Sequence, residues 1–205
     1  MNLMKLISED QIALTFIFGN IEDVEIEMGN RISGLLNKKW TNRRLKMSEN
    51  FALETFLSTS YLEKVCCLLW NPLNVDLQIV AFITNMPDGW PTLLNSYSFD
   101  SGRKIIRVRL SDNSTKNPVN EFSVVIGSER RTVQVLKDYN RWEFFETGTK
   151  LSFEDESYYR RRSIADRLNP EIIQRYLIEN SIDITADNFF HSGSEAIEFS
   201  SLLNS

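Results

Sequence analysis

The chain has 205 residues, of which 42% are hydrophobic and 25% charged, ordinary proportions that exclude a disordered, collagen-like or disulfide-stapled protein. Its formal charge of −5 argues against a dedicated DNA binder, whose affinity comes from counterion release by a dominant basic surface. The longest apolar runs, "QIALTFIFGN" and "LQIVAFITNM", are about half the length of a membrane-spanning helix, so no bilayer crossing is expected.

The opening "MNLMKLISED" meets Glu9 and Asp10 before an apolar stretch of signal-peptide length forms, and no secretory signal is expected. Cys66 and Cys67 are the only cysteines and are adjacent, so they cannot staple a loop. They fit a reducing compartment, which places the protein in the cytoplasm, and their expected role is that of small buried hydrophobes. Neither a repeat nor a Pro/Gly/Ser linker divides the chain, and residues 1–205 read as a single α+β domain.

In chain order, "IALTFIF" and "DVEIEM" read as strands, the second alternating Val24, Ile26 and Met28 against Asp23, Glu25 and Glu27. Ser48 then caps an expected helix in "ENFALETFL". "YLEKVCCLLW" fits either period and is read as a helix ended by Asn71 and Pro72. Six strand-length segments follow: "LQIVAFITN", "LLNSYSF", "KIIRVRL", "EFSVVIG", "TVQVLK" and "RWEFFET". Glycine, proline, asparagine and aspartate separate them, as in an antiparallel meander. Ile106, Val108 and Leu110 alternate with Arg107 and Arg109, which predicts one dry face and one wet one.

Near the C-terminus, acids 154–156 open a helix expected from Tyr158 to Leu168, and Asn169-Pro170 opens a second. The predicted fold is therefore α+β: a twisted antiparallel sheet of about six to eight strands, with helices on one face or at its ends and two helices near the C-terminus. The expected core comprises Ile79, Phe82, Leu94, Ile106, Val108, Val124, Ile126, Val133, Val135, Trp142 and Phe144.

Several chemistries are missing. There is no P-loop and no dinucleotide fingerprint, and with His191 as the only histidine an HExxH zinc site cannot form. Ser192 and Ser194 lie beside His191, but no GxSxG elbow accompanies them. No catalytic, cofactor or metal residue is therefore assigned. A basic stretch from Arg31 to Lys46 carries six cations around Trp40, yet the acids of residues 22–27 stand ready to neutralise it, which argues against nucleic acid as a partner.

Two charged segments remain as candidate surfaces. One comprises Tyr158, Tyr159, Arg160, Arg161, Arg162 and Arg167; guanidinium groups grip carboxylate and phosphate, but successive helical residues fan apart. The other comprises Glu22, Asp23, Glu25 and Glu27, able to mimic phosphate towards a basic partner. The leading expectation is a non-enzymatic cytoplasmic protein-interaction module, such as an immunity-type inhibitor of a toxic protein. The alternative is an enzyme or small-ligand binder that holds an anion with Arg160–Arg162 and Arg167. Self-association into a homodimer through Trp90 and Tyr97 is a third course.

Overall fold

The computed structural model describes residues 11–36, 40–46, 59–72, 78–186, 189 and 195–202. The helix expected in "ENFALETFL", the first ten residues and the His191–Ser194 segment lie outside them. Nine strands form one wholly antiparallel sheet: β1 (Ile12–Phe18), β2 (Thr41–Lys46), β3 (Lys64–Trp70), β4 (Ile79–Thr84), β5 (Lys104–Leu110), β6 (Val119–Ile126), β7 (Glu129–Asp138), β8 (Arg141–Thr147) and β9 (Glu195–Leu202). Their spatial order is β2-β9-β3-β4-β1-β5-β6-β7-β8, so the first strand lies at the centre and the last is inserted near one edge. The α+β class with an antiparallel sheet is as expected.

Both faces of the sheet are covered. On one side lie α1 (Ile21–Leu36) and α2 (Pro91–Ser101), above an apolar cluster that includes Ile17, Val24, Met28, Ile32, Phe82, Leu94 and Tyr97. On the other lies the C-terminal arm. It comprises α3 (Glu156–Tyr159), a 3-10 turn (Ile164–Asp166) and α4 (Pro170–Ile178), packed over a second cluster around Phe16, Trp70, Val108, Phe122, Val133 and Tyr176. Of the expected core, Ile79, Phe82, Leu94, Ile106, Val108, Val124, Val133 and Val135 are buried. Trp142 and Phe144 pack at its margin, while Ile126 is 46% exposed at the end of its strand.

Trp90 and Tyr97, expected as a self-association surface, are instead buried, 8% and 2% exposed, in the cluster beneath α1 and α2. Four expectations about local structure need correction, each for a physical reason. "DVEIEM" is helical, within α1. Val24, Ile26 and Met28 fit a period of two, but Val24, Met28 and Ile32 fit a helical stripe and are buried, whereas Ile26 is 64% exposed. Asn20 settles the choice by accepting the Asp23 N–H at 2.8 Å as an N-cap.

"LLNSYSF" is α2, begun by Pro91 and ended by Gly102 at φ 68°. Gly89 precedes it at φ +73°, where a Cβ would stand 2.7 Å from that of Ala13, so the approach of this turn to β1 requires glycine. "KVCCLLW" is strand β3 and not a helix. Both of its faces are buried, which removes the polar alternation that marks a strand.

The single helix expected over Tyr158–Leu168 is broken after Tyr159. Residues 160–163 offer no apolar side chain to bury, so a second turn has nothing to pack; the chain meets the core again at Ile164, which packs at its margin, and is buried at Leu168. The second helix starts where expected, with the Asn169 side chain accepting the Ile172 N–H at 3.0 Å.

Candidate functional site

The arginine-rich segment does not form one grip. Asp155 caps α3 by accepting the Ser157 N–H, and Arg160 pairs with Glu156 one turn earlier, at 3.1 Å. The guanidinium of Arg161 lies 4.5 Å from the centre of the Tyr158 ring and donates to the Asp166 carbonyl. Arg167 donates to the Arg161 carbonyl and lies 5.3 Å over Phe144, whereas Arg162 is exposed. Three of the four arginines are thus held by local partners in different directions. Tyr158 accepts a hydrogen bond from Arg175 at 2.6 Å. Tyr159 is buried, donates to Glu154 at 2.7 Å and meets the Tyr176 hydroxyl at 3.0 Å. Burial first, and then the bonds to Tyr176 and Glu154, raise its pKa above the usual phenol value.

The acidic segment lies on the outward side of α1. Glu27 receives both Arg103 Nε and Nη2 at 2.8 Å and the Tyr97 hydroxyl at 2.7 Å. The Arg103 guanidinium holds the Glu27 carboxyl below its ordinary pKa against some desolvation. Asp23 reaches Arg103 at 3.5 Å, and Glu25 pairs with Arg44 of β2 at 2.7 Å. Glu22 is exposed and acts on Arg44 only through the longer-range field. The neutralisation expected between acidic and basic stretches is real, but it runs from helix to strand.

Two clefts flank this helix and share Asn30. One, of about 400 Å³, is lined by Glu27, Asn30, Arg31, Tyr97, Asp100 and Ser101 and lies between α1 and α2. The other, of about 360 Å³, runs between α1 and the β2-β9 edge past Glu25, Ile26, Trp40 and Phe199. Ile26 stands on its rim as an exposed apolar anchor.

Two buried ion pairs lie outside the two charged segments. Arg131 of β7 and Glu154, with side chains 4% and 0% exposed, form an ion pair at 2.6 Å beneath the C-terminal arm. On the helix-covered face, Arg107 and Glu121 form another, with side chains 5% and 4% exposed. The alternation of β5 places Arg107 and Arg109 on one face, expected to be wet; Arg107 is instead buried because α2 packs over β5 and β6. Alternation reports which residues share a face and is silent on what covers it.

Cys66 and Cys67 are buried free thiols in β3, and burial pushes both pKa values up. Iodoacetamide at neutral pH should leave both unmodified in the native protein and alkylate both after unfolding; rapid native labelling, read by mass spectrometry, would refute the packing of β3.

Among the described residues, no group of three or more His, Cys, Asp or Glu is placed to hold a metal, and no helix is long and apolar enough to cross a membrane. No protein-family model matches the chain, and neither a curated protein nor a solved structure matches it.

Proposed function

We propose that the chain is a non-catalytic protein-interaction module acting in the cytoplasm, an inhibitor of the immunity kind, which meets a basic protein with the acidic side of α1. One observation carries this reading: Ile26, 64% exposed, stands at the centre of that side between two clefts and among carboxylates. Among the described residues there, Glu22, Asp23, Glu25, Glu27 and Asp100 outnumber Arg31, Arg44 and Arg103, an acidic excess around an apolar anchor. Such an excess speeds encounter with a cationic surface, and the anchor fills a pocket at its centre.

The test is affinity purification of the tagged chain from its native cell, compared with a variant carrying Glu22→Lys, Asp23→Lys and Ile26→Asp. All three residues are exposed, so the fold should survive, at a loss of about 1–2 kcal/mol from the Asp23–Arg103 pair and the acidic first turn of α1. The expected result is a stoichiometric basic protein with the parent chain, whose association rate falls about tenfold or more in the variant and falls with added salt in the parent. A partner retained equally by both chains, or none with either, defeats the reading.

A further inference from the structure

On the helix-covered side of the sheet, the apolar surface gives way to a polar floor at β5, β6 and β7. The register places Arg107 and Arg109, Glu121 and Ser123, and Arg130, Thr132 and Gln134 on this one face. Two guanidinium groups, those of Arg107 and Arg109, converge there on the Glu121 carboxylate, and a third, that of Arg130, lies within its longer-range field. Glu121 accepts from Arg107 Nη2 with one oxygen, while its other oxygen takes Gln134 Nε2 at 3.0 Å and stands 4.0 Å from Arg109. Arg109 Nη2 also reaches Gln11 Oε1 at 3.1 Å, and Arg130 Nε donates to Thr132 Oγ1 at 2.8 Å.

Some of these guanidinium donors are left over. Nε and Nη1 of Arg107 and Nε of Arg109 are buried and have no hydrogen-bond acceptor among the described residues. Buried guanidinium N–H groups are ordinarily satisfied, because stripping them of water without replacing it is costly. The charge is out of balance as well. Burial and the nearby Arg107 cation lower the pKa of Arg130, against the pull of Glu121; burial first and Arg107 after it lower that of Arg109, opposed by Glu121 and Asp88. The floor is not sealed: Arg130 is exposed and the Arg109 side chain is 20% exposed, which marks the side from which a ligand enters.

We propose that this floor is a binding site for an oxyanion, a carboxylate or phosphate group of a small molecule, held by the free N–H groups of Arg107 and Arg109, with Arg130 closing over it. The site is separate from the acidic side of α1, so either can fail without the other. Planar forked donors suit both ligand groups, and the two are told apart by the probe.

The full chain is titrated calorimetrically with inorganic phosphate and, in a second arm, with citrate, in low-salt buffer with chloride as the only other anion. Saturable binding of either probe is expected, weakened about tenfold or more by Arg130→Gln and strengthened by Glu121→Gln, which removes the competing carboxylate. Binding of phosphate alone assigns a phosphorylated ligand, and binding of citrate alone a carboxylic acid. Arg160→Gln, outside the floor, should leave the affinity unchanged. In the parent chain, the Arg107 and Arg109 side-chain Nε–H resonances should shift along the same titration. The proposal is overturned if neither probe saturates, or if Arg130→Gln and Glu121→Gln bind as the parent does, which would mean an adventitious ion only.

Discussion

Replacing Glu154 by alanine is expected to cost about 3–5 kcal/mol of stability and to lower the melting midpoint by on the order of 10 °C. The size follows from what is left behind. Arg131 donates to Glu154 through Nε at 2.9 Å and Nη2 at 2.6 Å, and only 4% of its side chain is exposed. Its other partners are Glu146, itself 35% exposed, and the carbonyls of residues 147 and 148 at 3.2 and 3.3 Å. Without Glu154 the cation is buried and under-compensated, and the Leu151 N–H and Tyr159 hydroxyl also lose their acceptor. The same carboxylate ties β7 to the start of the C-terminal arm, so the damage spreads to the cover of that core.

The pair's net contribution is a separate quantity. The joint replacement Arg131→Met with Glu154→Leu should recover most of the loss, because it removes the desolvation cost of both charges. A Glu154→Ala loss below about 1 kcal/mol in urea unfolding would show that water reaches the pair.

The pH dependence has a definite sign. Burial alone would raise the Glu154 pKa, but the bonds from Arg131, Leu151 and Tyr159 together outweigh it and hold the carboxyl below its ordinary 4.5. A carboxyl with a lowered folded-state pKa adds stability above its unfolded value, and that stability disappears as pH falls below 4.5 towards the folded value. Glu27, held down by Arg103, contributes in the same direction. The parent chain should therefore lose stability on acidification more steeply than Glu154→Ala does, measured as urea midpoints from neutral pH downwards.

Where the physics is local, the sequence was a good guide. The strands β5 to β8 show a period of two between turns, and the β7-β8 connection places Tyr139 and Asn140 at positive φ, as a two-residue hairpin turn demands. Asn169 and Pro170 marked the start of α4 because capping is a one-residue event. Failures occurred where a period was ambiguous or hidden. The spacing of Val24, Ile26 and Met28 suits a strand until Ile32 extends the stripe, and β3 shows no alternation because both its faces are dry. For α2, the Pro91 and Gly102 signals were present but were outweighed by the apolar look of "LLNSYSF".

Charge was the least legible property. Arg160, Arg161 and Arg162 stand out because their density is visible along the chain, and the fold gives them dispersed surroundings. Arg107, Arg109 and Arg130 are unremarkable along the chain and are gathered only by the pairing of β5, β6 and β7. Glu154 looked like a favourable charge at a helix start, when its main partner is Arg131, 23 residues earlier on another strand. Registers and coverings of this kind are tertiary facts, which a single chain's pattern does not encode.

Trp70→Ala is the second large loss expected, about 3–5 kcal/mol, because of the volume it vacates. Trp70 is fully buried on the arm-covered face of β3, and its partners on the two neighbouring strands are Ala81 and Ala196. Two small residues leave the room that the indole fills, so removing it opens a cavity that neither alanine can close. The indole also holds the arm: its Nε1–H donates to the Phe189 carbonyl at 3.2 Å, and the two rings meet edge-on with centroids 6.0 Å apart. Phe189 in turn meets Phe16 of the central strand at 6.1 Å.

Trp70→Phe should therefore lose less than alanine does but still leave that carbonyl without its donor, and Phe189→Ala should be coupled to Trp70→Ala by about 0.5–1.5 kcal/mol in a double-mutant cycle. Urea unfolding of the four proteins measures it. Strict additivity would mean that Trp70 fills space without fastening the arm, and the chain before Phe189 would then have to be anchored by Ile182 and Ile184, the other buried side chains among the described residues between α4 and Phe189.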